Sequence, residues 1–245
     1  MALPRVEFLG EPLPKDWRRP TRGLVLKHTT DLREGLAPPS AAHLYRAAAQ
    51  ATPTDLQGGP TAEGVRMLES YTRPGSGSPL SAVGMAYPQL ARASTRSIRV
   101  LAAQSGMRDL ADQSRGQNVI TLVNPSYRPV PSAGRVLRDE ACFSAPGIGV
   151  HVERWKEIML LIPGKRPRRV NGNDAWILQH EIDHLDGKTC VILAHDQGRP
   201  IYFVPPEWSP TFYRGFTSDW PVFPWEQYLA MQNGTFNLAD YARHL

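Results

Sequence analysis

The segment QHEIDHLDG, residues 179–187, constrains the fold of this chain most strongly because it places two histidines four residues apart. On an α-helix that spacing brings His180 and His184 to one face, where both imidazoles can reach a single ion. Glu181 lies beside them, and a carboxylate next to a metal site can accept a proton from water. The HExxH pattern on a helix is therefore typical of metal-dependent hydrolases.

The residues around the pattern also indicate a helix. Apolar side chains repeat at helical spacing on the opposite face, at Ile177, Leu178, Ile182 and Leu185. Gly187 follows them and is placed to end the helix. We therefore predict an amphipathic helix packed on a core rather than a solvated surface helix.

Short β-like runs lie on the N-terminal side of this helix, at 97–102, 119–123 and 149–162. Two earlier segments, 41–51 and 61–72, have helical patterns separated by glycine and proline. Strands followed by one central helix predict an α+β domain in which antiparallel sheets pack around the HExxH helix.

The domain organisation follows from length and composition. A chain of 245 residues suits one domain with extensions. Residues 1–37 are rich in proline and charge and predict an irregular arm. Residues 38–195 contain the periodic segments and form the predicted catalytic domain, and 196–245 form a C-terminal extension.

Charge and hydropathy restrict the partners. The net charge of +5 is spread along the chain, except for the cluster GKRPRR at 164–169. A solvated loop is the favoured interpretation of that cluster, and a ribosome or nucleic-acid contact is the alternative. The sequence has no apolar run of about 18 residues and an N-terminus with charges and prolines, so we expect a cytoplasmic protein without a membrane span.

A catalytic zinc-type site needs a third protein ligand and an open position. Two cysteines are available, and in a reducing compartment a metal or packing role is more common than a disulfide. Cys190 stands where the metzincin protease pattern has its last histidine, but it begins the apolar run 190–194. Cys142 lies in EACFSAPG, 140–147, between small residues in a predicted turn. The residues alone leave both candidates open.

Three segments, taken in order, resemble the motifs of the peptide deformylases. They are AVGMAYPQ at 82–89, EACFS at 140–144 and QHEIDHLDG at 179–187. The family patterns are GxGLAAPQ, EGCLS and QHExDHLxG, and the third matches most closely. The resemblance spans about 60–195 and includes Arg154, which matches a V-x-R segment of the family. It implies the peptide-deformylase α+β fold.

The resemblance also implies a site. The implied metal ligands are Cys142, His180 and His184. Glu181 would be general base and acid, while Gln89 and the backbone N–H of Phe143 would bind the developing oxyanion. The implied ion is Fe(II), with zinc, nickel or cobalt as replacements.

The implied reaction is removal of the formyl group from N-formyl-methionyl peptides, with release of formate. A different N-formyl compound is the second hypothesis, and a non-catalytic, metal-containing protein that binds a partner or the ribosome is the third. A metzincin-like endopeptidase is a fourth possibility.

The first two motifs depart from the family pattern at Ala82, Tyr87, Ala141 and Phe143, and Trp176 stands where many members have arginine. Tyr87 replaces an alanine and Phe143 a leucine. We expect these two larger side chains to narrow the site, unless Tyr87 points into the core.

Overall fold

The computed structural model describes residues 36–73, 82–105, 107, 119–203 and 222–236. The α-helices are α1 (Pro53–Gln57), α2 (Gly59–Thr72), α3 (Gly172–Leu185), α4 (Cys190–Asp196) and α5 (Trp225–Gln232). The strands are β1 (Gly84–Ala86), β2 (Val100–Gln104), β3 (Val119–Val123), β4 (Ser126–Pro129), β5 (Arg135–Cys142), β6 (Ala145–Trp155), β7 (Glu157–Leu161), β8 (Arg168–Asn171) and β9 (Ile201–Phe203). Short 3-10 helices lie at Ala42–Tyr45, Tyr87–Gln89, Ala91–Ser94 and Pro131–Ala133.

The strands form three antiparallel sheets around one helix. Their orders are β1-β2-β3, β4-β7-β8 and β5-β6-β9. Helix α3, which carries the HExxH pattern, contacts strands of all three sheets. The fold is therefore α+β with the HExxH helix at its centre, as the sequence predicts.

The apolar face of α3 explains its central place. Leu178, Ile182 and Leu185 are at most 1% exposed and lie in one core cluster with residues of β2, β3 and β7. The helix ends at Leu185, and Gly187 then adopts a φ of +76°. A Cβ at Gly187 would lie 2.7 Å from the backbone carbonyl carbon of Arg46, so glycine also permits a close approach of two chain segments.

The predicted helix at 41–51 is largely wrong, because only Ala42–Tyr45 forms a helical turn, of the 3-10 type. The backbone beyond it is extended and bonds to distant segments. Ala48 N–H donates to the Leu185 carbonyl at 2.9 Å, and Ala49 N–H donates to the Ser97 carbonyl at 2.9 Å. These tertiary hydrogen bonds override the high helix propensity of an alanine-rich segment.

The β-like run predicted at 149–162 forms strands, and its first part alternates between buried and more exposed residues. Val150, Val152 and Arg154 are 0%, 0% and 2% exposed and share the inner face of β6. The segment is nevertheless two strands, because the chain turns at Lys156, whose N–H donates to the Gly134 carbonyl at 3.1 Å.

The basic cluster 164–169 is only partly a loop. Its last two residues begin β8, and Arg169 there forms an ion pair with Glu157 of the neighbouring strand β7. The other residues of the cluster are solvent-exposed, as expected.

Described residues of the predicted C-terminal extension pack against the core. Just before the extension, the run 190–194 lies in α4, whose first turn is capped by Thr189; within the extension, β9 pairs with β6. Tyr228 of α5 is fully buried, with its hydroxyl 3.2 Å from Thr189 Oγ1. Both α4 and α5 contribute to the core cluster that contains Cys142. Among the described residues, no helix combines the length and hydropathy needed to cross a bilayer.

Candidate active site

Strand β5 and helix α3 bring the three predicted metal ligands together. Cys142 ends β5, and His180 and His184 lie on the facing side of α3. One ligand atom from each residue lies within 4.8 Å of the other two, and Cys142 Sγ is 3.1 Å from His184 Nε2. Bonds of about 2.3 Å to sulfur and about 2.0 Å to nitrogen allow atoms this close to share one ion.

The surroundings of Cys142 favour its thiolate. A hydrogen bond from Cys190 and the nearby imidazoles of His184 and His180 hold the pKa of the Cys142 thiol well below its usual value, although burial opposes them. The thiolate is the form that binds metal ions. The donor set of one thiolate and two imidazoles therefore fits a divalent transition metal.

A buried carboxylate orients the first histidine. Glu140 Oε2 lies 2.8 Å from His180 Nδ1, which leaves Nε2 of that ring as the ligand atom. Burial alone would raise the pKa of Glu140, but Arg154 and His180 hold it well below its usual range. Arg154 donates to both Glu140 oxygens at 2.7 and 2.8 Å and also pairs with Asp183 of α3. The V-x-R arginine thus connects β5, β6 and the HExxH helix.

Glu181 has the environment expected of a proton carrier. It is 4% exposed, and its Oε2 has no hydrogen-bond partner among the described residues. Burial raises its pKa to about 7, which suits a group that accepts and releases a proton near neutral pH. Gly84 of β1 makes room for it, because a Cβ there would lie 2.8 Å from Glu181 Oε1.

Gln89 points its amide nitrogen at the ligand cysteine. Its Oε1 accepts the Ala86 N–H at 2.7 Å, which fixes the orientation of the amide. Its Nε2 lies 3.4 Å from Cys142 Sγ and 3.3 Å from Ser144 Oγ. We assigned no role to Ser144 from the sequence, although it lies in the second motif.

Phe143 follows Cys142 directly, where the register between β5 and β6 shifts at Ala141 and Cys142. Its backbone therefore lies beside the ligand sulfur, and its partly buried side chain packs against the core cluster of β1 and β2. The oxyanion role of its N–H stays a prediction.

The expectation that Tyr87 narrows the site is wrong, because its ring packs against α2. Tyr87 is 2% exposed, and a Cβ on Gly64 would lie 2.6 Å from its Cε2 and 2.9 Å from its hydroxyl. The phenol fills the space that glycine leaves on the helix. The alternative reading, that Tyr87 points into the core, is the one the structure supports.

This contact predicts a stability effect. Gly64→Ala should lower the free energy of unfolding by about 1 to 3 kcal/mol, because the buried ring cannot move aside. In a Tyr87→Ala background the same change should stabilise the protein by about 0.5 to 1 kcal/mol, since alanine favours helix over glycine. Urea denaturation of the four proteins measures both values. If Gly64→Ala changed the free energy of unfolding equally in wild type and in Tyr87→Ala, the contact between Gly64 and the Tyr87 ring would be contradicted.

A second group of potential ligands lies next to the first, formed by Glu140, His180 and Cys190. Glu140 already accepts hydrogen bonds from His180, Arg154 and Trp176, so its oxygens are engaged. A hydrogen bond with Cys142, together with burial, raises the pKa of the Cys190 thiol, which favours its protonated form. The set with Cys142 is therefore the better metal site.

The fold and this site define an α+β protein with a candidate mononuclear metal centre on an HExxH helix. A model of the polypeptide deformylase family matches residues 66–199, more than half of the chain. The chain belongs to the polypeptide deformylase family.

Similar proteins include a peptide deformylase of Thermodesulfovibrio yellowstonii, 32% identical over 97 residues, which are 38% of this chain and 55% of that protein. Peptide deformylase 1 of Streptomyces coelicolor is 46% identical over 70 residues, 27% of this chain and 32% of that protein. The matches thus span from about a third to just over half of these relatives. A solved class I type b peptide deformylase from Acinetobacter baumannii is 26% identical, with a TM-score of 0.48 over 65% of this chain and 97% of that one.

Proposed function

We propose that this protein is a hydrolase that removes the formyl group from N-formyl peptides, with N-formyl-methionyl peptides as candidate substrates and formate as product. The observation that carries the proposal is the convergence of three ligand atoms with a buried oxygen of Glu181 that has no hydrogen-bond partner in the described part of the chain. A purely structural metal site has no use for such a carboxylate. Membership of the deformylase family supports the same reaction.

The residues that would hold the ion are Cys142, His180 and His184. A divalent ion bound there supplies a Lewis acid that polarises water and the formyl carbonyl. We propose Fe(II), the ion that the family resemblance implies, with zinc, nickel or cobalt as replacements, since a thiolate and two imidazoles accept all four ions.

Glu181 moves the proton in the proposed reaction. Its carboxylate accepts a proton from the attacking water and then gives it to the leaving amine nitrogen. The positions of Gln89 and of the Phe143 backbone support a role in binding the oxyanion, because both lie beside Cys142.

Gln89→Leu tests the oxyanion role. We expect kcat to fall about 10²-fold with a much smaller change in KM, because the amide donor matters most once the oxyanion forms. Steady-state kinetics on one formyl-Met tripeptide, at equal metal content, separate the two constants. A change confined to KM would assign Gln89 to substrate binding instead.

A direct assay tests the function. The metal-loaded protein is incubated with a formyl-Met peptide, an N-formyl small amine and an unformylated peptide, and formate and peptide cleavage are measured. Formate from the formyl peptide supports the proposal. Cleavage of the unformylated peptide would indicate an endopeptidase, and no product from any substrate would favour a binding protein.

A specific observation keeps a second substrate class in view. Trp176 contacts Glu140, which orients His180, and Arg138 lies over the Trp176 ring. Neither residue has a small aliphatic side chain. These two side chains favour, as the second candidate, an N-formyl compound other than a formyl-methionyl peptide.

A further inference from the structure

The metal site continues outward as two facing rows of side chains. On β5 the alternate residues Arg138, Glu140 and Cys142 share the inner face. On α3 the facing residues are four apart: Trp176, His180 and His184. The contacts between the rows run in register, from Cys142 with His184 at 3.1 Å to Glu140 with His180 at 2.8 Å.

Arg138 and Trp176 form the outer pair of these rows. The Arg138 guanidinium carbon lies 5.4 Å from the centre of the Trp176 ring. The indole is itself fixed, because its Nε1 donates to Glu140 Oε1 at 2.8 Å. The pair lies about 6 Å beyond His180 along the helix, from a rise of about 1.5 Å per residue over four residues.

Among the described residues, Arg138 has no acidic partner. It is half-buried, and its Nε is buried with no hydrogen-bond partner in the described part of the chain. No ion pair joins it to any described carboxylate. By contrast Arg135, on the same strand, also lies over a tryptophan, Trp155, but faces Glu153 at 3.8 Å.

The carboxylates closest to Arg138 along β5 are engaged elsewhere. Asp139 lies 2.7 Å from His151 Nδ1 on the neighbouring strand. Glu140 is held by Arg154, His180 and Trp176. Both carboxylates therefore already have partners within the protein.

We propose that Arg138, supported by the face of Trp176, binds an anionic group of the substrate, so that the preferred substrate is an N-formyl compound with a carboxylate on the residue that carries the formyl group. This inference rests on the proposed deformylase function. The half-buried Arg138 has no carboxylate partner among the described residues, and charge-assisted hydrogen bonds from a guanidinium to a substrate carboxylate are about twice as strong as neutral ones. Trp176 keeps the guanidinium in place through a cation–π contact.

The distance fits a short acidic side chain. The rows run from the ligand residues past Glu140 and His180, and the outer pair lies about 6 Å beyond His180 along the helix. A glutamate side chain covers such a span, whereas glutamine has the same shape without the charge. A comparison of glutamate and glutamine substrates therefore measures the effect of the side-chain charge at constant side-chain size.

The experiment compares formyl-Glu, formyl-Gln and formyl-Met tripeptides that share their second and third residues, with metal-loaded wild type and Arg138→Met. We expect wild type to show a kcat/KM at least about tenfold higher for formyl-Glu than for formyl-Gln, equivalent to about 1.4 kcal/mol. Arg138→Met should bring that ratio to about 1. Arg138→Glu should make the ratio less than 1.

A matched control and a binding measurement complete the design. Arg135→Met removes the other arginine that lies over a tryptophan, and it should leave the Glu to Gln ratio unchanged. Titration calorimetry with N-acetyl-Glu and N-acetyl-Gln tripeptides should show tighter binding of the acidic peptide to wild type only. This difference should shrink as salt increases.

The outcomes distinguish the two proposals. Formate from formyl-Gln or formyl-Met without a preference for formyl-Glu, or a preference that survives Arg138→Met, overturns the inference and leaves the deformylase function standing. Formate from none of the three peptides, with folded protein and full metal content, overturns the proposed function and the inference together.

Discussion

Cys142→Ala is expected to reduce bound metal from about one ion per chain to almost none, and formate release with it. The reason is that the Cys142 sulfur lies 3.1 Å from His184 Nε2, in surroundings that lower its thiol pKa. Two imidazoles alone leave the site one ligand short of the usual three. Metal analysis after anaerobic purification, together with the formate assay, measures both losses.

Cys190→Val is the matched control, because Cys190 is the other buried cysteine and lies beside the first in the same core cluster. Valine keeps a small apolar side chain at that position, so metal content and activity should persist. Loss of metal in Cys190→Val, with retention in Cys142→Ala, would move the ion to the group of Glu140, His180 and Cys190. Thermal melting of both variants checks that each remains folded.

Much of the site could be predicted because its residues occur in short motifs with fixed spacing. The four-residue interval between His180 and His184 defines a helix face wherever the helix lies. The choice of Cys142 over Cys190 required more than spacing. It came from the resemblance in the second motif, and the structure then placed Cys142 near both histidines.

The parts that could not be predicted depend on contacts between segments distant in sequence. The chain after Ala42–Tyr45 is extended because its N–H groups find carbonyls at Ser97 and Leu185, and no local pattern encodes those partners. The position of Tyr87 depends in the same way on Gly64, which lies on a different element. The size of the Tyr87 side chain alone suggested a narrowed site, whereas the contact with Gly64 of α2 shows that the ring packs against the helix.

The roles of Glu140 and Arg138 lie between these two cases. Both share the period-two face of β5 with Cys142, so a strand at 135–142 would have predicted that they point the same way. The sequence analysis predicted a turn at 140–147 around Cys142 and assigned no strand to 135–142. That assignment hid the row of side chains that leads from the metal ligands to Arg138.

Glu181→Gln is expected to keep the metal and to lower kcat for a formyl peptide by about 10² to 10⁴-fold. Glutamine has nearly the same shape, so the three ligands and the helix stay in place, but an amide cannot accept the proton from water. The buried Oε2 of Glu181 has no protein partner among the described residues, so its substitution breaks no described hydrogen bond at that atom.

Glu63→Gln is the control for this last change, since Glu63 is an exposed residue of α2 whose contact is the ion pair with Arg92. The same loss of one carboxylate there should leave kcat and metal content unchanged. Single-turnover formate release at saturating peptide isolates the chemical step from product release. If Glu181→Gln turned over at more than about half the wild-type rate, the proton would have to travel through another group. Glu181 is the buried carboxylate beside the ligands that retains an unpaired oxygen in the described chain, so such a result would remove the basis for the proposed mechanism.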